Sequence, residues 1–162
     1  MFAGTVRHCR RYGGVEVLDS EVGGGPAAVA GWVPADALDP GALDLARSGL
    51  WLTPLWLGPQ ATVRLERHER PAQERLLAQR RPGDGYLWVL GAHPQAQGRG
   101  VGAAALRAAL TAMAAAGHDR CLLRTDDAPN VPWYERQGFA VVEHLDDLES
   151  GLPAWILARP LP

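Results

Sequence analysis

The chain has 162 residues, a formal net charge of −2 and 47% hydrophobic residues, which predicts one globular domain over residues 1–162. The small negative charge disfavours nucleic acid as a partner, because nucleic-acid-binding proteins carry a basic patch, and no apolar run is long enough to cross a membrane. Two cysteines, Cys9 and Cys121, are too few for a disulfide framework or a cysteine metal site, so we expect a cytoplasmic protein without a metal ion.

The first predicted elements are two strands. Val15–Leu18 and Ala27–Val33 are short apolar runs, and the glycines and proline between them are typical of a turn. Pro34 closes the second run, since proline cannot donate to a strand ladder. We therefore predict an antiparallel hairpin.

The middle of the chain is punctuated by proline and has a helical composition. Asp39-Pro40 is typical of a helix start. Trp51 and Trp56 fit packing in the core or at a hinge, and the alternative is that they line a substrate pocket. Residues 60–80 predict a polar helix in which Pro71 indicates a kink or a break into two helices.

The second half shows a clearer order of elements. Tyr86–Leu90 is a continuous apolar run, as expected for a strand buried on both faces. Next comes a helix with Leu106, Leu110 and Met113 on one face, which Gly117 ends. Strands are then expected at Cys121–Leu123, Phe139–Val142 and Ala154–Leu157, with a short helix at Pro129–Arg136. The sequence predicts a mixed α+β domain built on one sheet.

A glycine-rich loop, Gln97-Gly98-Arg99-Gly100-Val101-Gly102, lies between the buried strand and the helix. Glycines let the backbone bend sharply and approach a ligand, and the free N–H groups of a helix start attract anions, so phosphate binding is expected. A dinucleotide such as NAD fits less well, because six residues separate the strand from the start of the loop. A connector without a ligand is the remaining alternative.

Two motifs resemble those of the GNAT superfamily of acetyltransferases. Leu90-Gly91-Ala92-His93-Pro94-x-x-Gln97-Gly98-x-Gly100-x-Gly102 is similar to the acetyl-CoA motif of that family. Asn130-Val131-Pro132-Trp133-Tyr134-Glu135-Arg136-Gln137-Gly138-Phe139 is similar to its second signature, and the pattern is closest to the puromycin N-acetyltransferase-like group. The resemblance implies the GNAT fold, in which helices flank a central mixed, mostly antiparallel sheet.

The resemblance also implies a site. The backbone of the strand end would bind the pantetheine arm of acetyl-CoA, the loop amides would bind its pyrophosphate with Arg99 as an additional charge, and Asn130 would hydrogen-bond the arm. Tyr134 would act as the general acid that protonates the departing thiolate. The alternatives are that Tyr134 only packs beside Phe139 and that Asn130 only forms a turn or helix cap. The expected cofactor-binding residues are Leu90, Gly91, Ala92, Gln97, Gly98, Arg99, Gly100, Val101, Gly102, Ala103 and Asn130.

Two features depart from the family pattern. Arg124 stands where the puromycin-like group has an acid that is a candidate for activating the acceptor, and an arginine cannot be that base. Few residues precede Val15, so we expect the usual first strand to be missing, and an exposed sheet edge favours a homodimer. The remaining candidates for the base, each of which also fits a solvated surface group, are Glu66, His68, Glu69, His93 and Asp126.

The resemblance predicts an enzyme that moves the acetyl group of acetyl-CoA to a primary amine of a small molecule by direct attack. The alternative is a non-catalytic GNAT-like module that binds an acyl-CoA as a sensor or partner domain. The sequence leaves the identity of the acceptor amine open.

Overall fold

A computed structural model of the protein describes residues 2–19, 25–38, 58–148 and 150–162. Six described strands form one sheet in the order β1-β2-β3-β4-β6-β5. Only β3 and β4 run parallel, and all other neighbours are antiparallel. The predicted mixed, mostly antiparallel sheet is therefore confirmed. The strands are β1 (Gly14–Asp19), β2 (Pro26–Pro34), β3 (Asp84–Ala92), β4 (Arg120–Thr125), β5 (Ala140–Leu145) and β6 (Ala154–Pro160).

Four α-helices are described, together with two short 3₁₀ turns at Ala35–Leu38 and Pro94–Ala96. The helices are α1 (Phe2–Tyr12), α2 (Pro59–Ala78), α3 (Val101–Ala115) and α4 (Asn130–Arg136). Helix α2 is continuous through Pro71, so a break into two helices there is wrong. No helix in the described ranges combines the length and apolar composition that a membrane span needs. The predictions for Asp39-Pro40, Trp51 and Trp56 lie outside the described residues, and the loss of a first strand stays a prediction.

Each face of the sheet carries its own apolar core, because successive side chains of a strand point to opposite faces. Helices α1 and α2 cover one face, where Leu76 packs with Leu122 and Ile156. Helix α3 covers the other face, where Leu106 packs with Leu123. Helix α4 packs on that second face. The sheet therefore has an α1–α2 face and an α3–α4 face.

Strands β3 and β4 pair only at their beginnings. Their register runs from Asp84–Tyr86 to Arg120–Leu122 and ends there, although both strands continue. On its other side β3 carries a bulge, since Gly31 and Trp32 of β2 are opposite Val89 and Leu87 and leave Trp88 as an additional residue. Bulges bend a strand and re-aim its groups. The two central strands thus separate and leave one edge of β3 open toward β4.

An ion pair joins β3 and β4 at their beginnings, where the two strands are still paired. The Asp84 carboxylate, whose side chain is 2% exposed, accepts hydrogen bonds from Arg120 Nη2 (2.6 Å) and Nε (2.8 Å). It also accepts a hydrogen bond from the backbone N–H of Arg81 at 2.7 Å. The hydrogen bond to Asp84 raises the pKa of Arg120. Strand β3, strand β4 and the turn before β3 are therefore joined through one carboxylate.

Replacing Asp84 with alanine is expected to lower the free energy of unfolding by about 3 kcal/mol, because the Arg120 guanidinium, 12% exposed, loses its counter-charge. Urea denaturation followed by tryptophan fluorescence measures this change. The matched control is Arg70→Ala, which removes an exposed pair with Glu74 on α2. That pair is expected to contribute less than about 0.5 kcal/mol. Equal losses in both variants would contradict the role given to Asp84.

Candidate functional site

A cleft of about 560 Å³ opens where β3 and β4 separate, on the α3–α4 face. This volume is in the range of small-molecule sites. Every residue predicted to bind the cofactor lines it except Arg99, whose side chain is exposed nearby in the loop. The predicted Tyr134 lines it too, and Trp133 is the one member that the sequence did not single out. The lining residues are Leu90, Gly91, Ala92, Gln97, Gly98, Gly100, Val101, Gly102, Ala103, Asn130, Trp133 and Tyr134.

One end of the cleft is formed by the start of α3. The first helical hydrogen bond joins the N–H of Ala104 to the C=O of Gly100 at 3.0 Å, so the N–H groups of Val101, Gly102 and Ala103 have no acceptor within the helix. Gly98 and Gly100 have φ values of 75° and 78°, which favour glycine. Free amides and the positive end of the helix dipole together favour an anion at this end.

The loop before α3 is tied back to the end of β3. The N–H of Gln97 donates to the C=O of His93 at 3.2 Å, and its side-chain Nε2 donates to the C=O of Ala92 at 3.4 Å. The N–H of His93 donates to the C=O of Ala27 at 2.8 Å, which anchors this end of β3 on β2. The backbone N–H of Gln97 is thus already used, and the free amides begin further along the loop.

The wall of the cleft is the open edge of β3. Leu90, Gly91 and Ala92 pair with Ala30, Val29 and Ala28 of β2, whereas the register with β4 has already ended at Tyr86. In an extended strand, N–H and C=O groups point alternately to its two sides. The backbone polar groups of this segment that point away from β2 therefore face the gap, where β4 does not pair with them, and can meet a ligand with its own amides.

The other end of the cleft is formed by α4. Asn130 and Tyr134 are four residues apart and share one helix face. Asn130 Nδ2 donates to Thr125 Oγ1 at 3.2 Å, which joins α4 to the end of β4. The Tyr134 ring packs edge-on against Trp133 and Phe139, with centroid distances of 5.0 and 5.6 Å. Burial, with a smaller contribution from Cys121, raises the pKa of Tyr134 to about 12. Packing holds this ring in place, and its phenol stays neutral at physiological pH.

The sequence matches one family model over this whole site. The model described as the acetyltransferase (GNAT) family matches residues 47–139, more than half of the chain. The chain belongs to the acetyltransferase (GNAT) family. Members of this family use acetyl-CoA and act on small-molecule or peptide acceptors. No curated protein matches the sequence.

Several solved structures share the GNAT fold with this chain. A crystal structure of an acetyltransferase aligns over 99% of this chain and 77% of its own, with 18% identity and a TM-score of 0.61. A Desulfovibrio desulfuricans protein described as a GNAT-family acetyltransferase aligns over 91% of this chain and 69% of its own (15% identity, TM-score 0.56). The ribosomal-protein-S18-alanine N-acetyltransferase from Escherichia coli aligns over 91% and 68% (16% identity, TM-score 0.52). At these identities the likeness shows the fold.

The expected likeness to the puromycin-like group has weak structural support. A nourseothricin acetyltransferase aligns over 49% of this chain, which spans only 51% of that protein, with 23% identity and a TM-score of 0.44. A match with this TM-score and coverage does not indicate which acceptor the chain uses. The likeness to the puromycin-like group therefore rests on the two motifs.

The candidate bases of this GNAT chain divide into two sets. Glu66 and His93 are exposed, as expected for solvated surface groups. His68 is instead buried, at 7% exposure, and lies with Glu69 and Asp126 in one group. No pattern in the sequence indicates this burial, because the residues around His68 have the polar composition of a surface helix.

Proposed function

We propose that this chain is an enzyme that transfers the acetyl group of acetyl-CoA to a primary amine of a small molecule. The observation that carries the proposal is one cleft with an anion site at the start of α3, an open strand edge along its wall and a neutral phenol at its other end. Pyrophosphate, pantetheine amides and thioester sulfur are found in the same order along acetyl-CoA. Cofactor binding by the predicted residues is part of this proposal.

In the proposed reaction the amine nitrogen attacks the thioester carbonyl and forms a tetrahedral oxyanion. Backbone N–H groups on the open edge of β3 donate hydrogen bonds to this oxyanion. The carbon–sulfur bond then breaks, the electron pair stays on sulfur, and Tyr134 donates its proton to the thiolate. The amide product loses the additional proton of the attacking nitrogen to a base or to water.

The pKa of Tyr134 determines how readily the phenol protonates the departing thiolate. A phenol with a pKa of about 12 would protonate a thiolate in water poorly, because an ordinary thiol has a pKa of about 8.5. Burial also raises the pKa of thiols, as Cys121 shows, since its pKa is raised to about 12 by the same cause. The pKa of a CoA thiolate beside the partly buried Tyr134 ring is expected to shift upward for the same reason, which reduces its mismatch with the phenol.

Ligand-dependent melting tests the proposal. Acetyl-CoA at one hundred times its Kd contributes about 2.7 kcal/mol, which corresponds to a rise in Tm of about 5–10 °C for a chain of this size. NADH at the same concentration is expected to leave Tm unchanged. Thiol release is then measured with a panel of primary amines, each compared with the alcohol of the same carbon skeleton, and only the amines are expected to react.

Three outcomes separate the alternatives. A rise in Tm with acetyl-CoA and thiol release with an amine support the proposal. A rise in Tm without turnover of any amine would instead support the non-catalytic acyl-CoA-binding module. Stabilisation by NADH and not by acetyl-CoA would overturn both. A homodimer and a cytoplasmic location stay predictions.

A further inference from the structure

A second polar group lies on the α1–α2 face, at the far side of the gap between β3 and β4. It consists of His68 and Glu69 on α2 and of Arg124 and Asp126 at the end of β4, and we call it the His68 cluster. His68 Nδ1 lies 2.8 Å from Ser150 Oγ. Its Nε2 lies 3.3 Å from Asp126 Oδ2, without the alignment of a hydrogen bond, and has no hydrogen-bond partner among the described residues. When the ring proton is on Nδ1, which then donates to Ser150 Oγ, Nε2 is an unprotonated nitrogen that faces a carboxylate and lacks a donor.

Arg124 does not supply that donor, because its guanidinium is already engaged. Its side chain is 10% exposed, and Nη2 contacts both oxygens of Glu69 at 2.8 and 2.9 Å. Its Nε lies 3.1 Å from Asp126 Oδ1. Two carboxylates are thus balanced by one guanidinium, and one negative charge remains while His68 is neutral. The carboxylate side chains are 44% and 38% exposed, so a solute can reach them.

The His68 cluster and Tyr134 lie on opposite sides of the same opening. Arg124 alternates along β4 with Leu123, whose side chain is in the core of the α3–α4 face, so Arg124 points to the α1–α2 face. Tyr134 belongs to the α3–α4 face. Tyr86, the last β3 residue paired with β4, has its side chain in the core of the α1–α2 face. Burial raises the pKa of Tyr86, Arg124 lowers it, and Glu69, Asp126 and Tyr134 raise it further. Its side chain is therefore close to both groups.

We propose that the His68 cluster binds the acceptor as a primary ammonium ion and that His68 Nε2 removes a proton from it. This inference rests on the proposed acetyltransferase function. A primary ammonium carries three N–H donors. The half-exposed carboxylates of Glu69 and Asp126 are the part of the cluster that it meets first. His68 Nε2, which is covered in the free protein, lies directly behind Asp126, 3.3 Å from its Oδ2, and accepts the third donor once the ammonium is bound. The transfer converts R–NH₃⁺ and neutral imidazole into R–NH₂ and imidazolium. The neutral amine then attacks the thioester across the gap, and the imidazolium, held between Ser150 and Asp126, returns its proton to water.

A divalent metal ion is the other occupant with matching chemistry, because His68, Glu69 and Asp126 bring ligand atoms within 4.8 Å of one another. Arg124 argues against it. The guanidinium contacts oxygens of both carboxylates, so a dication bound to them would be next to a fixed positive charge. The single positive charge of an ammonium ion balances the remaining negative charge of the His68 cluster.

Kinetics of His68→Gln test the inference, with tyramine, ethylamine and 1,5-diaminopentane as the amine probes. For an amine that the wild type acetylates, kcat is expected to fall about 10²- to 10⁴-fold, the usual contribution of a general base. The Kd of acetyl-CoA is expected to change less than twofold, because His68 lies on the other face from the cofactor cleft. The matched control is His144→Gln on β5, an exposed histidine stacked on Trp155, which is expected to keep wild-type rates.

If His68→Gln does not fold, a second variant and a spectroscopic measurement on the wild type still test the inference. Glu69→Gln, at a half-exposed position, is expected to raise the amine KM tenfold or more and to change the acetyl-CoA Kd little. In wild-type protein labelled with ¹⁵N-histidine, the amine probe is expected to shift the His68 Nε2 resonance in the presence of CoA.

The possible failures are distinguishable. A wild type that binds acetyl-CoA and acetylates no amine would overturn the proposed function and this inference with it. Wild-type turnover that survives both His68→Gln and Glu69→Gln would overturn only the inference. Equimolar Zn²⁺ binding that is lost in His68→Gln would identify a metal site and overturn the ammonium assignment.

Discussion

Replacing Tyr134 with phenylalanine is expected to lower kcat by about 10²- to 10⁴-fold, the range of general acid catalysis, and to change the Kd of acetyl-CoA less than about twofold. The phenol hydroxyl is the only group that the substitution removes. The ring contacts with Trp133 and Phe139 stay, because phenylalanine keeps the same ring. Stopped-flow measurement of thiol release gives kcat, and calorimetry gives the Kd.

The protonation state of Tyr134 fixes the conditions of this experiment. Burial disfavours the phenolate, so the pKa is raised to about 12 from the ordinary value of about 10. The phenol is therefore neutral in nearly every molecule at pH 8. A loss of rate at that pH measures a missing proton donor and not a missing phenolate.

The matched control is Tyr12→Phe on α1. Tyr12 packs with the core of the α1–α2 face, away from the cleft that Tyr134 lines, and this variant is expected to keep the wild-type kcat. Wild-type kcat in Tyr134→Phe would show that Tyr134 only packs beside Phe139. A raised Kd with unchanged kcat would instead give it a role in cofactor binding.

The residues that line the cleft could be predicted because their signals are local. Gly98 and Gly100 occupy conformations that favour glycine, and the buried run of β3 stands just before them. Asn130 and Tyr134 share a helix face whatever the rest of the chain does. These elements bring their residues to one cleft once β3 and β4 lie side by side in the sheet.

The separation of β3 and β4 could not be predicted, since it depends on pairing between distant segments. The bulge at Trp88 is defined only by the partners of its neighbours on β2, and the register with β4 ends at Tyr86 for reasons that no local pattern shows. The same is true of the His68 cluster. His68 meets Ser150 from 82 residues away, and Arg124 meets Glu69 from 55 residues away.

A carboxylate placed at Gly102 is expected to lower the affinity for acetyl-CoA about 10²-fold or more. Gly102 lies in the first turn of α3, and a Cβ atom there would meet only Trp133 Cζ2, at 3.9 Å, so the fold has room for a side chain. A glutamate would place its charge at the free amides of Val101–Ala103 and compete with the pyrophosphate for them. Loss of charge-assisted hydrogen bonds and like-charge repulsion each cost about 1.5–3 kcal/mol or more.

The same substitution is not expected to destabilise the helix, since an acidic side chain in the first turn contributes about 0.3–1 kcal/mol through the helix dipole. Gly102→Glu is therefore expected to keep or raise the Tm of the free protein while acetyl-CoA binding is lost. The matched control is Gly102→Gln, which has nearly the same size without the charge. Calorimetry with CoA on all three proteins separates the causes. Equal losses in Glu and Gln variants would mean that bulk alone blocks the cleft. Unchanged affinity in both would mean that the pyrophosphate does not bind at the start of α3.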